Sequence, residues 1–168
     1  GPLRELAGIE VSDLSPLHAS VPLWTAPTLG MFGAHGQDMA DEIHPRTAEV
    51  LATFDGGWRR GLPAITLNRY GAGWVVYLGT ILDGDDLAAF IRYLRTLGGI
   101  EPVLATPAGG VAYERRGDGV RLLFLLNKTD APASVALPAG WRDAFTGQPC
   151  AQAEIAAVDV RLLVAIHE

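Results

Sequence analysis

Asp83, Asp85 and Asp86 form the densest group of carboxylates in the 168-residue chain. They follow a segment rich in β-branched and aromatic residues, and α/β folds bind ligands where strands end, so a pair of these carboxylates could act as acid and base. They also precede a segment with helical periodicity, where acidic side chains stabilise the positive end of a helix. We favour helix capping over catalysis.

A second candidate is the glycine pair Gly71 and Gly73 in NRYGAGWVVYLGT, residues 68–80. A glycine loop that binds phosphate leads from a strand into a helix, so that backbone N–H groups and the helix dipole point at the anion. These two glycines lead from one predicted strand into another. We therefore predict a hairpin whose turn uses glycine to reach positive φ.

Four histidines show neither the i, i+4 spacing of a metalloprotease helix nor a neighbouring cysteine. They are His18, His35, His44 and His167. We interpret them as solvated loop residues, so the sequence predicts no metal site.

Cys150 lies in GQPC, a turn between predicted strands, and lacks the surrounding glycine elbow that would expose a nucleophile. We interpret it as structural. The tripeptide Asn127-Lys128-Thr129 matches a glycosylation acceptor but opens an NKTD turn, and we favour the turn. The sequence thus predicts no catalytic residue and no cofactor site.

Composition excludes two classes of partner. The net charge is −6 and the 13 Lys and Arg residues form no cluster, which argues against nucleic acid. No apolar run approaches the roughly 20 residues that span a membrane. The single cysteine cannot form an internal disulfide, and we expect a cytoplasmic location.

The first part of the chain predicts strands at 48–54, 64–69 and 74–80. The next segment, LDGDDLAAFIRYLRTLGG, predicts an amphipathic helix that Gly98 ends. The apolar positions that repeat at helical spacing are Leu87, Phe90, Ile91, Leu94 and Leu97. A helix that packs on these strands predicts a layered α/β unit.

The second part predicts a different class of structure. Residues 105–110, ATPAGG, read as a linker, and short strands follow, separated by Gly, Pro, Asp and Asn turns. RRGDG at 115–119 predicts a hairpin. This is a small all-β module.

The loop from Trp24 to Asp38 is long, glycine-rich and contains Met31 and Phe32. Apolar side chains on such a loop either enter the core or contact a partner. We favour the core.

Five segments carry a family resemblance: PLRELAGIEV, AEVLATFDGG, GLPAITLNRYGAGWVVYLGT, GVAYERRGDGVRLLFLLNKTDAPASVALP and DAFTG. In order and spacing they resemble the C-terminal part of bacterial-type β-galactosidases of glycoside hydrolase family 42. In that family a catalytic (β/α)8 barrel precedes a flavodoxin-like trimerisation domain, related to class I glutamine amidotransferases, and a small antiparallel β domain.

The resemblance implies a fold and a division of the chain. Residues 1–104 would be the later half of the trimerisation domain, 105–110 a linker and 111–168 the C-terminal all-β domain. The expected fold class is α/β, with a partial flavodoxin-like (class I glutamine amidotransferase-like) layer followed by a small antiparallel β-sandwich domain.

The resemblance also implies a function. The barrel that carries the catalytic glutamates of this retaining family is absent from the chain, so no catalytic residue can be assigned. We expect a non-catalytic assembly portion of a β-galactosidase, whose partners are the missing catalytic barrel and other subunits, with a trimer as the family's state.

Two alternatives stay open. One is a free-standing carbohydrate-binding or adaptor module, which would need an exposed aromatic platform, and Trp141 is the only tryptophan of the β module. The other is a small amidotransferase-like hydrolase, which the placement of Cys150 disfavours.

Overall fold

A computed structural model describes residues 3–166, and the chain forms two compact units, Gly1–Ile100 and Glu101–Glu168. Unit 1 contains two helices, α1 and α2, and seven strands, β1 to β7. In chain order these are α1 Leu3–Ala7, β1 Ile9–Pro16, β2 Val21–Thr25, β3 His35–Pro45, β4 Glu49–Phe54, β5 Pro63–Tyr70, β6 Gly73–Leu78, β7 Thr80–Ile81 and α2 Gly84–Gly98. Two 3-10 turns, Pro27–Leu29 and Gly57–Arg59, lie between strands. Neither helix is long and apolar enough to cross a membrane.

The strands of unit 1 form one antiparallel sheet in the order β1-β3-β2-β4-β5-β6, and β7 pairs with β3. Only Gly79 separates β6 from β7. Its N–H donates to the Ala64 carbonyl at 2.9 Å, and its carbonyl accepts from the Asp41 N–H at 2.8 Å. The pairing therefore closes into a ring that runs from β3 through β2, β4, β5 and β6 and returns through β7.

Gly79 packs closely against the Ile43 side chain at this closure. A Cβ atom at Gly79 would lie 2.5 Å from the Ile43 Cδ1 atom, well inside van der Waals contact. A larger residue at this position would therefore displace the end of the Ile43 side chain.

The expected α/β flavodoxin-like layer is wrong. A flavodoxin-like sheet is parallel, whereas every pair of neighbouring strands in unit 1 is antiparallel. Parallel neighbours need a crossover of a dozen or more residues, and the connections from β4 to β5 and from β5 to β6 are shorter. The α/β expectation rests on one helix that follows an apolar strand, and its flavodoxin-like form rests on the family resemblance.

The local predictions fare better. The three predicted strands correspond to β4, β5 and the β6–β7 segment, and the predicted helix is α2. Gly98 is the last residue of α2, but the left-handed residue that caps the helix is Gly99, with φ 59°. The Ile100 N–H donates to the Arg95 carbonyl at 2.9 Å, which completes the helix end.

The β5–β6 pair is covered on both faces because its side chains alternate in direction. Ile65 and Leu67 share a core with Phe90 of α2. On the opposite face, Val75 and Tyr77 pack against a second cluster formed by Ala7, Ile9 and Ile43.

Unit 2 has six described strands, numbered β8 to β13. They are β8 Gly110–Gly117, β9 Val120–Asn127, β10 Ala133–Ala136, β11 Arg142–Asp143, β12 Gln152–Ile155 and β13 Asp159–Ile166. A four-stranded sheet, β11-β13-β9-β8, and a two-stranded sheet, β10-β12, are both antiparallel.

One apolar core joins the two sheets of unit 2. Its fully buried members include Leu125 and Leu163 from the larger sheet and Val135 and Ile155 from the smaller one. The predicted hairpin is confirmed: Asp118 and Gly119, both at positive φ, connect β8 to β9.

Candidate interaction surface

The carboxylate group lies at the start of α2. Asp83 occupies the N-cap position, but its side chain makes no capping hydrogen bond. Asp86 accepts a hydrogen bond from the His35 backbone N–H at 3.0 Å, which ties α2 to β3. Together with Asp85, these charges suit the positive end of the helix dipole, and Asp86 has a structural partner.

Gly71 and Gly73 lie in the β5–β6 hairpin, as predicted. Gly71 has φ 58°, whereas Gly73 has no positive φ and pairs with Tyr70 inside the ladder. The turn thus requires the backbone freedom of glycine at position 71 alone.

Of the described histidines, His18 lies in a loop, whereas His35 and His44 both lie in β3, so the prediction that they are loop residues is wrong for these two. His18 is exposed after β1, and His35 begins β3. The His44 Nε2 atom lies 2.8 Å from the Ser12 Oγ and 3.3 Å from a Glu42 carboxylate oxygen. Within residues 3–166, no group of three or more His, Cys, Asp or Glu side chains could hold a metal ion. His167 lies outside the described residues.

The Cys150 thiol is half-buried and donates to the Gln152 carbonyl at 2.9 Å. Asn127 is buried, and its amide nitrogen donates to the carbonyls of Ala131 at 2.7 Å and Ala156 at 2.9 Å. Its carbonyl oxygen accepts from the Thr129 backbone N–H at 3.0 Å. The amide that glycosylation would modify is therefore already bonded inside the fold, which agrees with the turn interpretation.

Trp141 is 5% exposed and belongs to the core of unit 2. The Arg121 guanidinium carbon lies 4.9 Å from the centre of its ring. Glu114 holds Arg121 in an ion pair, and Arg121 and Arg116 together lower the pKa of Glu114 to about 2. A buried Trp141 cannot serve as the exposed platform that the carbohydrate-binding alternative needs.

In the segment from Trp24 to Asp38, which runs from β2 into β3, some apolar side chains are buried in the core and others are exposed. Met31 is buried, as predicted. Trp24 and Phe32 are 55% and 84% exposed, so the prediction that they enter the core is wrong.

Three of the four tryptophans are exposed, and all three lie in unit 1. Trp58 in the 3-10 turn is 75% exposed, and Trp74 in β6 is 49% exposed. With Trp24 they are named here the exposed tryptophans. Tryptophan is enriched among the residues that dominate binding at protein interfaces.

The exposed tryptophans lie at different places on the sheet. Trp24 is in β2, opposite Thr53 of β4. Trp58 lies in the connection between β4 and β5, before β5 begins. Trp74 pairs with Arg69 near the other end of β5, beside the β5–β6 turn. Unit 1 thus presents two separate aromatic sites, one near each end of β5.

An arginine lies beside two of these rings. The Arg69 guanidinium carbon is 5.6 Å from the centre of the Trp74 ring, and that of Arg59 is 4.1 Å from the Trp58 ring. Arg59 is 3% exposed, and its three side-chain nitrogens have no hydrogen-bond partner among the described residues.

The sequence predicts that Arg59 and Arg60, a basic pair beside turn glycines, are solvated, which is wrong for Arg59 because it is 3% exposed; Trp58 carried no prediction. A signal was present, since WRR in DGGWRRG stands between glycines and outside every apolar alternation. Such a tryptophan has no strand or helix face that would bury it.

Comparison with known proteins decides the family. A family model described as the β-galactosidase trimerisation domain matches residues 1–101. This chain belongs to that family. The resemblance to glycoside hydrolase family 42 is therefore confirmed.

The β-galactosidases that this chain matches are longer than the chain itself. The chain is 32% identical over 142 residues to β-galactosidase BgaB of Geobacillus, covering 82% of this chain and 20% of the relative. It is 27% identical over 169 residues to β-galactosidase LacZ of Heyndrickxia coagulans, covering 100% of this chain and 25% of that protein. It spans about a fifth to a quarter of their length.

A solved structure shows the same relationship. The β-galactosidase from Bacillus circulans sp. alkalophilus is 30% identical with a TM-score of 0.82, and the match covers 98% of this chain and 25% of that enzyme. The trimerisation-domain match contains all three exposed tryptophans, whereas Trp141 lies beyond it.

Proposed function

We propose that this chain is the non-catalytic assembly and support portion of a β-galactosidase that hydrolyses terminal β-D-galactosides. The observation that carries the proposal is the exposure of Trp24, Trp58 and Trp74 within the residues that match the trimerisation domain. A folded unit that leaves its largest apolar side chains in solvent gains stability when a partner covers them.

The placement of these side chains suits a trimer. A ring of three identical subunits uses heterologous contacts, in which one patch of a subunit meets a different patch of the next. Unit 1 offers two aromatic sites, around Trp58 and around Trp74, at opposite ends of β5. We propose that these two sites meet between neighbouring subunits.

The remaining partner is the catalytic barrel. We assign residues 1–104 to the later half of the trimerisation domain, 105–110 to a linker and 111–168 to the C-terminal β domain. The barrel and the earlier trimerisation-domain strands then belong to the part of the enzyme that this chain does not span. A cytoplasmic location stays a prediction.

The non-catalytic assignment follows from what a retaining glycosidase requires. Such an enzyme needs two carboxyl groups about 5 to 5.5 Å apart on either side of a sugar cleft. The densest carboxylate group here, at Asp83, Asp85 and Asp86, lies at the N-terminus of α2, and Asp86 is bonded to the backbone of β3.

An activity assay tests this proposal. The purified chain, incubated with a chromogenic β-galactoside, should release no product above the buffer blank, and light scattering of the same sample should give a mass above that of one chain. Turnover that stays with the chain through successive purification steps would refute the non-catalytic assignment. A mass of one chain at all concentrations would refute the assembly role.

A further inference from the structure

Arg59 carries a charge that the described structure leaves without a partner. It ends the 3-10 turn Gly57–Arg59, and its Nε, Nη1 and Nη2 atoms are buried without a hydrogen-bond acceptor among residues 3–166. A guanidinium stays protonated inside proteins and presents five N–H donors. The turn therefore encloses a permanent positive charge whose donors are unmet.

Two other arginines of the chain have carboxylate partners. Arg60 is 75% exposed and lies 3.1 Å from a carboxylate oxygen of Asp55. The less exposed Arg121 pairs with Glu114. Burial of a charge without a partner is strongly unfavourable, and buried polar groups without partners are rare. A carboxylate from outside the described residues would supply what Arg59 lacks.

The Trp58 ring packs against the buried Arg59 guanidinium. The Trp58 ring lies 4.1 Å from the Arg59 guanidinium carbon and is itself 75% exposed. Movement of this indole would open the guanidinium to an acceptor. Tryptophan and arginine are two of the three residue types most enriched among the residues that dominate interface affinity, and here they are adjacent.

We propose that Arg59 is the anchor for a carboxylate of a neighbouring copy of this chain, and that Trp58 packs against the same copy. The proposal rests on the assembly function proposed above. The planar guanidinium matches a carboxylate through two parallel hydrogen bonds, and desolvation by Trp58 strengthens both.

Two observations favour a second copy as the source of the carboxylate. Trp58 and Arg59 both lie within the residues that match the trimerisation domain. The chain has 19 Asp and Glu residues against 13 Lys and Arg, so the surface of a neighbouring copy is rich in carboxylates. In a ring with heterologous contacts, Arg59 meets a different part of its neighbour and not another Arg59.

Sedimentation equilibrium of Arg59→Met and its matched control Arg60→Met tests the proposal. Arg59→Met should weaken self-association at least about tenfold, because the neighbour's carboxylate is left buried and unpaired. Its urea midpoint, measured at a dilution where the chain is dissociated, should not fall, because removal of an unpaired buried charge offsets the lost contact with the Trp58 ring. Arg60→Met should associate like the wild type.

A second variant keeps the test decisive. Arg59→Lys retains the charge but loses the two parallel donors, so its association constant should lie between those of the wild type and Arg59→Met. If Arg59→Met fails to fold, the association constant of Arg59→Lys still tests the proposal.

Three results would overturn the inference. Wild-type association of Arg59→Met, or equal weakening by Arg60→Met, would remove Arg59 as the anchor and leave the assembly proposal intact. A lowered urea midpoint of Arg59→Met with unchanged association would assign Arg59 to the fold of unit 1. A wild-type chain that never associates would overturn both proposals.

Discussion

Arginine side chains lie over three tryptophans of this chain, and the pairs differ in what holds the arginine. Arg121 is fixed over the buried Trp141 by an ion pair with Glu114. Arg59 stacks on the exposed Trp58 with no carboxylate. The first arrangement is complete within unit 2, whereas the second is complete only with a partner.

Gly71 provides the simplest prediction for a single residue. Replacement by Val should lower the free energy of unfolding by about 1 to 2 kcal/mol, because a β-branched side chain is strained at φ 58°. Gly73→Val is the matched control, since Gly73 lies in the ladder without positive φ. Urea denaturation of both variants, followed by tryptophan fluorescence, measures the effect. Equal midpoints for the two variants would contradict the turn assignment.

The lowered pKa of Glu114 predicts how the stability of unit 2 depends on pH. Its pKa is about 2 in the folded chain because Arg121 and Arg116 stabilise the carboxylate, whereas its ordinary value is 4.5. A lowered folded pKa adds stability that is fully present above pH 4.5 and is lost as the pH falls toward 2. Glu114→Gln should therefore be less stable than the wild type near pH 7, with the difference shrinking over this range.

Urea unfolding at each pH, followed by tryptophan fluorescence to which Trp141 beside Arg121 contributes, measures this difference. Arg116→Met is an intermediate variant, because it removes one of the two arginines that lower the pKa of Glu114 and leaves Arg121, so it should lose only part of the pH-dependent stability. A difference between wild type and Glu114→Gln that does not change between pH 4.5 and pH 2 would contradict the assigned cause.

At the scale of elements, α2 is stabilised by one buried face. Phe90 is 5% exposed within the core that β5 shares, whereas Leu87 on the same helix is 41% exposed. Phe90→Ala should destabilise unit 1 by about 3 to 5 kcal/mol, and Leu87→Ala by much less. Thermal or urea unfolding checks this, and a cost for Leu87→Ala that equals that of Phe90→Ala would show that the buried face has been misassigned.

Elements that depend on local sequence could be predicted. The spacing of apolar residues identifies α2, and the glycines identify the β5–β6 and β8–β9 turns. By contrast, β3 reads HGQDMADEIHP, which is mostly polar, and its pairing with β1 and β7 joins distant parts of the chain. The ring closure at Gly79 left no local signal, so the sequence favoured an α/β layer.

The candidate surface was predicted less well for a related reason. A tryptophan in an apolar chain is usually at least partly buried, and only tertiary structure shows that Trp24 and Trp58 are exposed. The lack of a partner for Arg59 is likewise a property of the folded unit. The family resemblance implied an assembly function but did not identify these side chains.

At the scale of the whole molecule, we propose that the chain is a folded scaffold whose exposed surfaces bind a second protein. Among the described residues, Arg59 and Thr66 have buried side-chain nitrogen or oxygen atoms without a hydrogen-bond partner, and three tryptophans of unit 1 are exposed. Since the trimerisation-domain match covers residues 1–101, these features belong to the part with an assembly role.

The mass of the chain in solution, measured by light scattering over a range of concentrations, tests this account most directly. The wild type should approach three chains at high concentration. The double variant Trp58→Ser/Trp74→Ser should stay near one, because both aromatic sites are removed. Phe145→Ser is the matched control, since Phe145 is 85% exposed but lies outside residues 1–101, and it should behave like the wild type. A wild-type mass of one chain throughout, or a double variant that assembles like the wild type, would contradict the account.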